Sequence, residues 1–276
     1  MTRADLHTHT TASDGQLTAV ELVALAKQVG LSALGITDHD TTGGIVAARQ
    51  AAGETLRIIP GVELSAEDAS GDVHMLGYFL DIENPGFQRE LEQFRVRRYF
   101  RAQVMVEKLA ALGMPLAWAQ VEAFANGGAI GRPHIARALH EAGYVSSVKE
   151  AFDRYIANDG PAYVARKRLS PEEAIELIHS AGGAAVLAHP VFLADYRAMV
   201  LRLLPAGLDG LEVVYPKHAP KLEGELRALA RRYNLVMTGG SDFHGLNFPG
   251  KAMLGSVEPP AEAIEGLQAR ASQYAV

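Results

Sequence analysis

The chain contains no cysteine among its 276 residues. Disulfide bridges, thiolate metal sites and cysteine nucleophiles are therefore excluded. The sequence also lacks the run of roughly 20 apolar residues that a membrane-spanning helix needs. No apolar segment of the kind found in signal peptides follows Met1. We therefore expect a soluble, cytoplasmic protein that has no membrane partner.

An excess of positive charge is also absent. The 26 Lys and Arg residues face 32 Asp and Glu residues, which gives a formal net charge of −6. This balance argues against broad, nonspecific binding of nucleic acid. It remains compatible with an anionic substrate, because local basic clusters and bound cations can dominate the field inside a pocket.

Short apolar strands alternate with helices along most of the chain, and 48% of the residues are hydrophobic. Two capping boxes predict helix starts, at Thr18 to Glu21 and at Ser170 to Glu173. The alternation predicts an α/β fold with a parallel sheet or barrel. The expected strands are 4–6, 31–37, 57–60, 73–80, 184–188, 211–215 and 235–238, and the expected helices between them are 18–29, 44–52, 170–179 and 221–233.

The middle of the chain breaks this alternation because its pattern is almost entirely helical. We expect a long helix at 87–112 and shorter helices at 118–125, 133–142 and 147–156, with Trp118 in their core. We interpret residues 85–161 as a helical insertion domain that covers the active site. Residues 1–84 and 162–276 would then form the barrel domain.

Nine potential metal ligands lie mostly where an apolar strand runs into a loop. Side chains two residues apart on an extended chain point to the same side, so His7 and His9 are expected to face the same site. Asp242 and His244 have the same spacing. Active sites of barrels are assembled at the rim formed by the C-terminal strand ends. A single histidine is as readily a hydrogen-bonded core residue, but a whole rim of unpaired polar groups would be too costly. The predicted ligands are His7, His9, Asp14, His39, Glu63, His74, His189, Asp242 and His244.

Nine nitrogen and oxygen ligands exceed what one ion needs, and three ions with three or four ligands each fit the number. Imidazole-rich sites suit zinc, manganese or iron and make a pure magnesium site improbable. Such clusters favour hydrolysis, because the ions activate a water molecule and clamp the oxygens of a phosphate. We therefore expect the nine residues to be catalytic through a metal-activated hydroxide.

These residues resemble the motifs of the PHP (polymerase and histidinol phosphatase) family of metal-dependent phosphoesterases. The resemblance rests on His7-Thr-His-Thr-Thr-Ala-Ser-Asp-Gly15, Thr37-Asp-His-Asp40, Glu63, His74, Ala188-His-Pro190 and Ser241-Asp-Phe-His244. It implies a distorted (β/α)7 TIM-like barrel and a trinuclear site, with manganese as the expected metal and zinc or iron as alternatives. It also implies three ligand sets, of which the first and third share Glu63 as a bridging residue: His7, His9, Glu63 and Asp242; Asp14, His39 and His244; and Glu63, His74 and His189.

The insertion carries the candidate substrate residues. The segment Arg95-Val-Arg-Arg-Tyr-Phe-Arg101 predicts a positive helix face with aromatic neighbours, suited to phosphate and to a stacked base. The simpler alternative is a solvated helix face with one aromatic ring in the core. Arg132 and His134 begin a helix, where free N–H groups favour anions. The predicted substrate-binding residues are Arg98, Tyr99, Phe100, Arg101, Arg132 and His134; Arg166 and Lys167 are weaker candidates, and His140, His179 and His218 are expected to be structural or exposed.

Within the family, the arginine-rich helix and Gly131-Arg-Pro-His134 resemble the small enzymes that remove the 3′-phosphate from nucleoside 3′,5′-bisphosphates. Relatives of that group act as 5′→3′ exoribonucleases on short RNA. We therefore predict a bisphosphate phosphatase whose partner is a small nucleotide, with no stable protein partner implied. The alternatives are an exoribonuclease, a phosphatase of histidinol phosphate or another small monoester, and a non-catalytic metal-binding or polymerase-associated module. The general acid is left open between a bound water and His134.

Overall fold

Seven strands lie side by side in chain order in one sheet. The computed structural model describes residues 3–69, 71–125, 130–164, 169–246 and 252–275, so Arg166 and Lys167 lie outside the described residues. The strands are β1 (Ala4–Asp5), β2 (Ala33–Ile36), β3 (Arg57–Asp68), β4 (Gly71–Tyr78), β5 (Ala184–Leu187), β6 (Gly210–Val214) and β7 (Val236–Gly239).

The first and last strands meet just beyond their ends. Thr8 forms a parallel bridge with Phe243, and the His9 N–H donates to the Phe243 carbonyl at 2.9 Å. A glycine is required at this seam, because a Cβ on Gly240 would lie 2.4 Å from the Cβ of His7. The sheet is therefore a distorted (β/α)7 barrel, as the sequence predicted.

One strand departs from the expected parallel arrangement, since β4 runs antiparallel to both β3 and β5. β3 also extends to Asp68, beyond the expected end at residue 60, and its added part, Gly61–Asp68, pairs with β4. Val62, Leu64 and Ala66 alternate on the face that packs into the main core. Glu63 and Ser65 therefore point to the other face. Because β4 is reversed, His74 near its start lies at the same rim as the ends of the parallel strands.

Six helices follow the strands on the outside of the barrel. Both predicted capping boxes are confirmed at Thr18 and Ser170, each with the reciprocal pair of hydrogen bonds. Two helices in the C-terminal third of the chain, Tyr196–Leu203 and Ala263–Ala271, were not predicted. The barrel helices are α1 (Ala19–Gln28), α2 (Ile45–Ala52), α7 (Pro171–Ser180), α8 (Tyr196–Leu203), α9 (Pro220–Arg232) and α10 (Ala263–Ala271).

The predicted helices in the middle of the chain are confirmed. This helical middle segment contains α3 (Pro85–Ala111), α4 (Trp118–Ala125), α5 (Arg132–Glu141) and α6 (Val148–Ala151), and α6 continues into a π-helical turn at Phe152–Ile156. Buried residues such as Met105, Leu109, Ile135 and Leu139 form a hydrophobic cluster of their own. The start of α3 instead packs into the barrel core through Phe87 and Leu91. The helices are therefore joined firmly to the barrel at the beginning of α3.

None of the helices in the described ranges combines the length and apolar composition that crossing a lipid bilayer requires.

Candidate metal centre

The barrel rim gathers the nine predicted ligands into one cluster. Three groups each have ligand atoms within 4.8 Å of one another, and His189 adjoins them with Nε2 3.0 Å from Oε1 of Glu63. The groups overlap, since His9, His39 and Glu63 each belong to two of them. They consist of His9, Asp14, His39 and His244; His7, His9, Glu63 and Asp242; and His39, Glu63 and His74.

Glu63 lies at the centre of the cluster and is 1% exposed. Its Oε1 is 2.7 Å from Nδ1 of His74, and its Oε2 is 3.1 Å from Nε2 of His9 and 3.2 Å from Nδ1 of His39. Burial acts to raise the pKa of this carboxyl, but His39, His74 and His7 outweigh it and hold the pKa well below its usual range. Glu63 is therefore an ionised carboxylate with both oxygens aimed at different imidazoles, which is the arrangement of a bridging ligand.

The orphaned nitrogens of the cluster test whether it fits metal ions. His9 is fully buried, yet both of its ring nitrogens lack a hydrogen-bond partner, and Nδ1 of His39 lacks one too. A buried polar atom left unsatisfied costs about 1–3 kcal/mol. Divalent cations would satisfy these nitrogens, and the purely nitrogen and oxygen donor set suits them. The residues present therefore fit a bound metal cluster.

The pKa directions of His39 and Asp14 agree with a ligand role, whereas that of His9 favours the protonated ring. Burial lowers the pKa of His39 to about 3, which leaves its imidazole neutral with a lone pair to share. Burial would raise the pKa of Asp14, but His244 and His39 hold it well below its usual value. Burial likewise opposes protonation of His9, but Asp242, Glu63 and Asp14 raise its pKa to about 9. Protons and cations therefore compete for this cluster.

Two of the predicted ligands stand on strained backbone. His189 has φ 25° and Asp242 has φ 54°, values that residues other than glycine rarely adopt. Such strain persists only where surrounding contacts over-determine it. The His189 N–H donates to Oε2 of Glu212 at 2.6 Å, and the Tyr215 hydroxyl donates to Oδ2 of Asp242 at 2.9 Å.

Sequence reasoning missed the buried groups that hold the ligands in place. Glu212, fully buried in β6, accepts from His7 Nδ1 at 3.0 Å as well as from His189. Asp38 accepts from the N–H and hydroxyl of Thr10, and Asp5 accepts from those of Ser241. A signal was present for Glu212, because a charged residue interrupts the apolar strand Gly210–Val214. Outer partners of this kind orient metal ligands and fix histidine tautomers.

A cleft lined by three arginines adjoins the cluster. It encloses about 160 Å³ and is lined by Arg98, Arg101 and Arg132 together with His39, His74 and Asp14. Nε of Arg101 donates to the Val164 carbonyl at 2.6 Å, whereas its buried Nη2 has no hydrogen-bond partner. Burial, then the neighbouring Arg132, lowers the pKa of Arg101 to about 10. An anion in this cleft would satisfy the unused donor and offset the cation–cation repulsion.

The two other arginines of the cleft are held by residues of the barrel and of the helical middle segment. Arg98 Nη2 lies 2.7 Å from Asp40 Oδ2 and donates to Ser65 Oγ at 2.9 Å. Arg132 lies 3.2 Å from Asp72 and donates to Asn158 Oδ1 at 3.0 Å. Arg98 therefore also fastens α3 to the rim of the barrel.

His134 is buried beside this cleft, with an exposed fraction of 3%. Its Nδ1 accepts the Gly131 N–H at 3.0 Å, which assigns the proton of the neutral ring to Nε2. Burial lowers its pKa to about 4. At neutral pH the ring can donate a hydrogen bond, but it holds no additional proton to give to a leaving group.

Tyr99 and Phe100 do not line the arginine cleft and take other faces of α3. They line a second pocket of about 370 Å³ with Arg95, Val96 and Glu122. The Tyr99 ring packs edge-on against Trp118 at 5.1 Å, whereas Phe100 is 60% exposed. The structure therefore does not bring these two rings together with the three arginines, although Ile130 lines both pockets.

The remaining histidines have no place in the cluster. His140 is exposed, and His179 pairs with Asp209 at 2.8 Å. His218 is buried with Nδ1 2.8 Å from the Val213 carbonyl. These positions agree with the structural or exposed roles expected from the sequence.

Comparison with known proteins adds independent information. The model of the PHP domain matches residues 5–156. The chain is 40% identical to "5'-3' exoribonuclease Rnm" of Salmonella typhimurium, over 87% of this chain and 84% of the relative. It is 34% identical to "3',5'-nucleoside bisphosphate phosphatase" of Chromobacterium violaceum, over 88% of each chain.

A solved structure from Bifidobacterium adolescentis, described as a candidate metal-dependent phosphoesterase, superposes with a TM-score of 0.89 at 33% identity. The match covers 97% of this chain and 96% of that one. The match therefore includes the helical middle segment as well as the barrel. Together with the ligand cluster, these likenesses show that the chain belongs to the PHP domain family and is a metal-dependent phosphoester hydrolase.

Proposed function

We propose that this protein is a phosphatase that removes the 3′-phosphate from nucleoside 3′,5′-bisphosphates, such as 3′,5′-bisphosphoadenosine. One observation carries the proposal: the ligand cluster and the arginine cleft share His39, His74 and Asp72 as a common wall. Two anion-binding sites side by side suit a substrate with two phosphates. A substrate with one phosphate, such as histidinol phosphate, would leave the buried Nη2 of Arg101 without a partner.

The nine cluster residues are proposed as ligands of three divalent ions, with manganese favoured and zinc or iron as alternatives. The overlapping groups support this number, since each holds three or four donors. Bound ions of this kind activate water and neutralise charge on the phosphate oxygens. Residues 85–161 are proposed as the insertion domain that covers the active site, with residues 1–84 and 162–276 as the barrel.

The arginine cleft is proposed to hold the 5′-phosphate. Arg101 and Arg132 supply planar donors suited to phosphate oxygens. Neutral His134 would donate one hydrogen bond through Nε2. Tyr99 and Phe100 are proposed to reach the base only where it projects past Ile130. In the reaction, the oxygen of water bonds to phosphorus, the bond from phosphorus to O3′ breaks, and O3′ gains a proton.

A second candidate function is 5′→3′ exoribonuclease activity on short RNA. Release of a 5′-nucleotide from 5′-phosphorylated RNA breaks the same bond between phosphorus and O3′. A pocket that begins at the ligand cluster favours this candidate, because the pocket extends away from the arginines to Phe192 and Leu193. The relatives named as exoribonucleases also support it.

Replacing Arg101 tests the proposal. Hydrogen bonds to charged groups contribute about 1.5–3 kcal/mol, so R101A should raise KM for the bisphosphate roughly 10- to 150-fold. KM for a simple aryl phosphate should stay nearly constant. R89A is the matched control, since Arg89 is an exposed residue of the same helix. Equal effects of R101A on both substrates would contradict a 5′-phosphate site.

A further inference from the structure

A second pocket adjoins the ligand cluster, on the side away from the arginine cleft. This pocket of about 280 Å³ begins at Glu63, His74 and Asp242 and reaches Phe192 and Leu193. This volume is close to the roughly 300 Å³ at which pockets for small organic ligands begin. The pocket therefore continues past the ligand residues to an apolar end formed by Phe192 and Leu193.

The aromatic ring of Phe192 lies at the outer end of this pocket and is held there by local structure. Phe192 ends the 3-10 turn Pro190–Phe192 directly after His189, and its N–H donates to the His189 carbonyl at 3.2 Å. Its ring meets His189 edge-on at 5.3 Å and Tyr215 at 6.0 Å. The side chain nevertheless remains 54% exposed. One surface of a fixed ring is thus offered to solvent beside the cluster.

A cation accompanies this ring. The ammonium of Lys217 lies 5.1 Å from the centre of the Phe192 ring, and within the described ranges Lys217 forms no ion pair. A base-stacking ring beside a cation is the combination with which proteins bind single-stranded nucleic acid. The ring and the ammonium at this end of the pocket therefore suit the base of a nucleoside and a phosphate on its 3′ side.

We infer that Phe192 and Lys217 form a subsite for the nucleotide 3′ of the cleaved bond in a short, 5′-phosphorylated oligoribonucleotide. The inference rests on the proposed function, since it needs the 5′-terminal phosphate in the arginine cleft and the next phosphate at the cluster. The second nucleoside is then bonded to that phosphorus through its O5′. Its base stacks on Phe192, and Lys217 faces the phosphate that follows. A nucleoside bisphosphate leaves this subsite without a nucleoside.

The test compares two substrates on the metal-loaded enzyme: adenosine 3′,5′-bisphosphate and 5′-phosphorylated diadenylate. Loss of one stacked base should lower kcat/KM of F192A for the dinucleotide roughly 5- to 100-fold, with less than about a twofold change for the bisphosphate. F192L should behave like F192A, because it keeps apolar volume but removes the ring. L201A, at an exposed apolar position on α8, is the control and should change neither value.

A parallel loss on both substrates would overturn the subsite, because Phe192 would then only support His189. No loss on either substrate would overturn it as well. A wild-type enzyme that hydrolyses the bisphosphate but not the dinucleotide would overturn the subsite and leave the proposed function standing. A wild-type enzyme that hydrolyses neither would overturn the proposed function itself.

For Lys217, the readout is salt dependence on a trinucleotide. Each phosphate contact on a single strand contributes a slope of roughly 0.7 to the fall of log affinity with log salt. K217A should reduce the slope of log kcat/KM by about that amount, whereas K221A, at an exposed lysine on α9, should not. An unchanged slope in K217A would overturn the role of the lysine.

Discussion

At the scale of single residues, the clustering of the nine candidate ligands was predictable because polar residues at strand ends stand out in an apolar pattern. The groups that hold them were not, because their partners are distant in sequence. Glu212 and His7, for example, are separated by 205 positions. Only the cost of burying a charge inside β6 indicates a partner for Glu212. Tyr215, which holds Asp242, reads as an ordinary aromatic residue at the end of a strand.

The double hydrogen bond of Glu212 leads to a prediction about metal retention. In E212Q, the amide can accept from either His7 or His189 but must face the other donor with its own NH2. Loss of such an outer partner typically weakens metal binding roughly 10- to 100-fold. Chelator competition followed by metal analysis measures this change. T238V is the matched control, because Thr238 is the paired residue on β7 and its buried hydroxyl has no partner; a similar loss in T238V would contradict the account.

At the scale of elements, helices with capping boxes were predicted to within a residue or two, because their signals are local. The antiparallel β4 was not predicted, since an apolar strand has the same pattern in either direction. The extension of β3 past residue 60 was hidden because Glu63 and Ser65 read as loop residues. Only the pairing with β4 shows them as one face of a strand. α10 was missed because no side-chain cap marks its start.

The capping box of α7 gives a prediction about stability. The Ser170 hydroxyl accepts the Glu173 N–H at 3.1 Å, and the Glu173 carboxylate accepts the Ser170 N–H at 2.7 Å. S170A should lower the free energy of unfolding by about 1 kcal/mol, as loss of an N-cap does. Urea denaturation measures this difference. S272A, just beyond α10, should cost less, because its hydroxyl only returns to a helix carbonyl; an equal or larger loss there would contradict the role of the cap.

At the scale of the whole molecule, we propose that the chain binds anions in two ways although its net charge is −6. The barrel rim gathers carboxylates and imidazoles, which attract phosphate only through bound cations. The cleft against the helical middle segment is proposed to bind phosphate through arginines directly. The sequence predicted almost all residues of the cluster, because these residues lie at strand ends. The sequence motif predicted Tyr99 and Phe100 beside the arginines, but the two rings line another pocket. The motif alone does not show which face of α3 each side chain takes.

Metal removal should affect the whole fold as well as activity. A ligand that binds only the folded state stabilises it by about 2.7 kcal/mol at one hundred times its Kd. Dialysis against a chelator should therefore abolish hydrolysis and lower the Tm, and added manganese should restore both. Calorimetry of the chelated and reloaded protein measures this change. Identical Tm values for the two forms would contradict a metal cluster built from nine buried or half-buried ligands.

The most direct test of the central claim compares adenosine 3′,5′-bisphosphate with adenosine 3′-monophosphate on the manganese-loaded enzyme, with phosphate release as the readout. The two substrates share the cleaved bond and differ only in the phosphate assigned to the arginine cleft. We predict a kcat/KM at least about tenfold higher for the bisphosphate, as expected for hydrogen bonds to a charged group. R101A should remove most of this preference. Equal kcat/KM values for the two substrates in the wild-type enzyme would contradict the account.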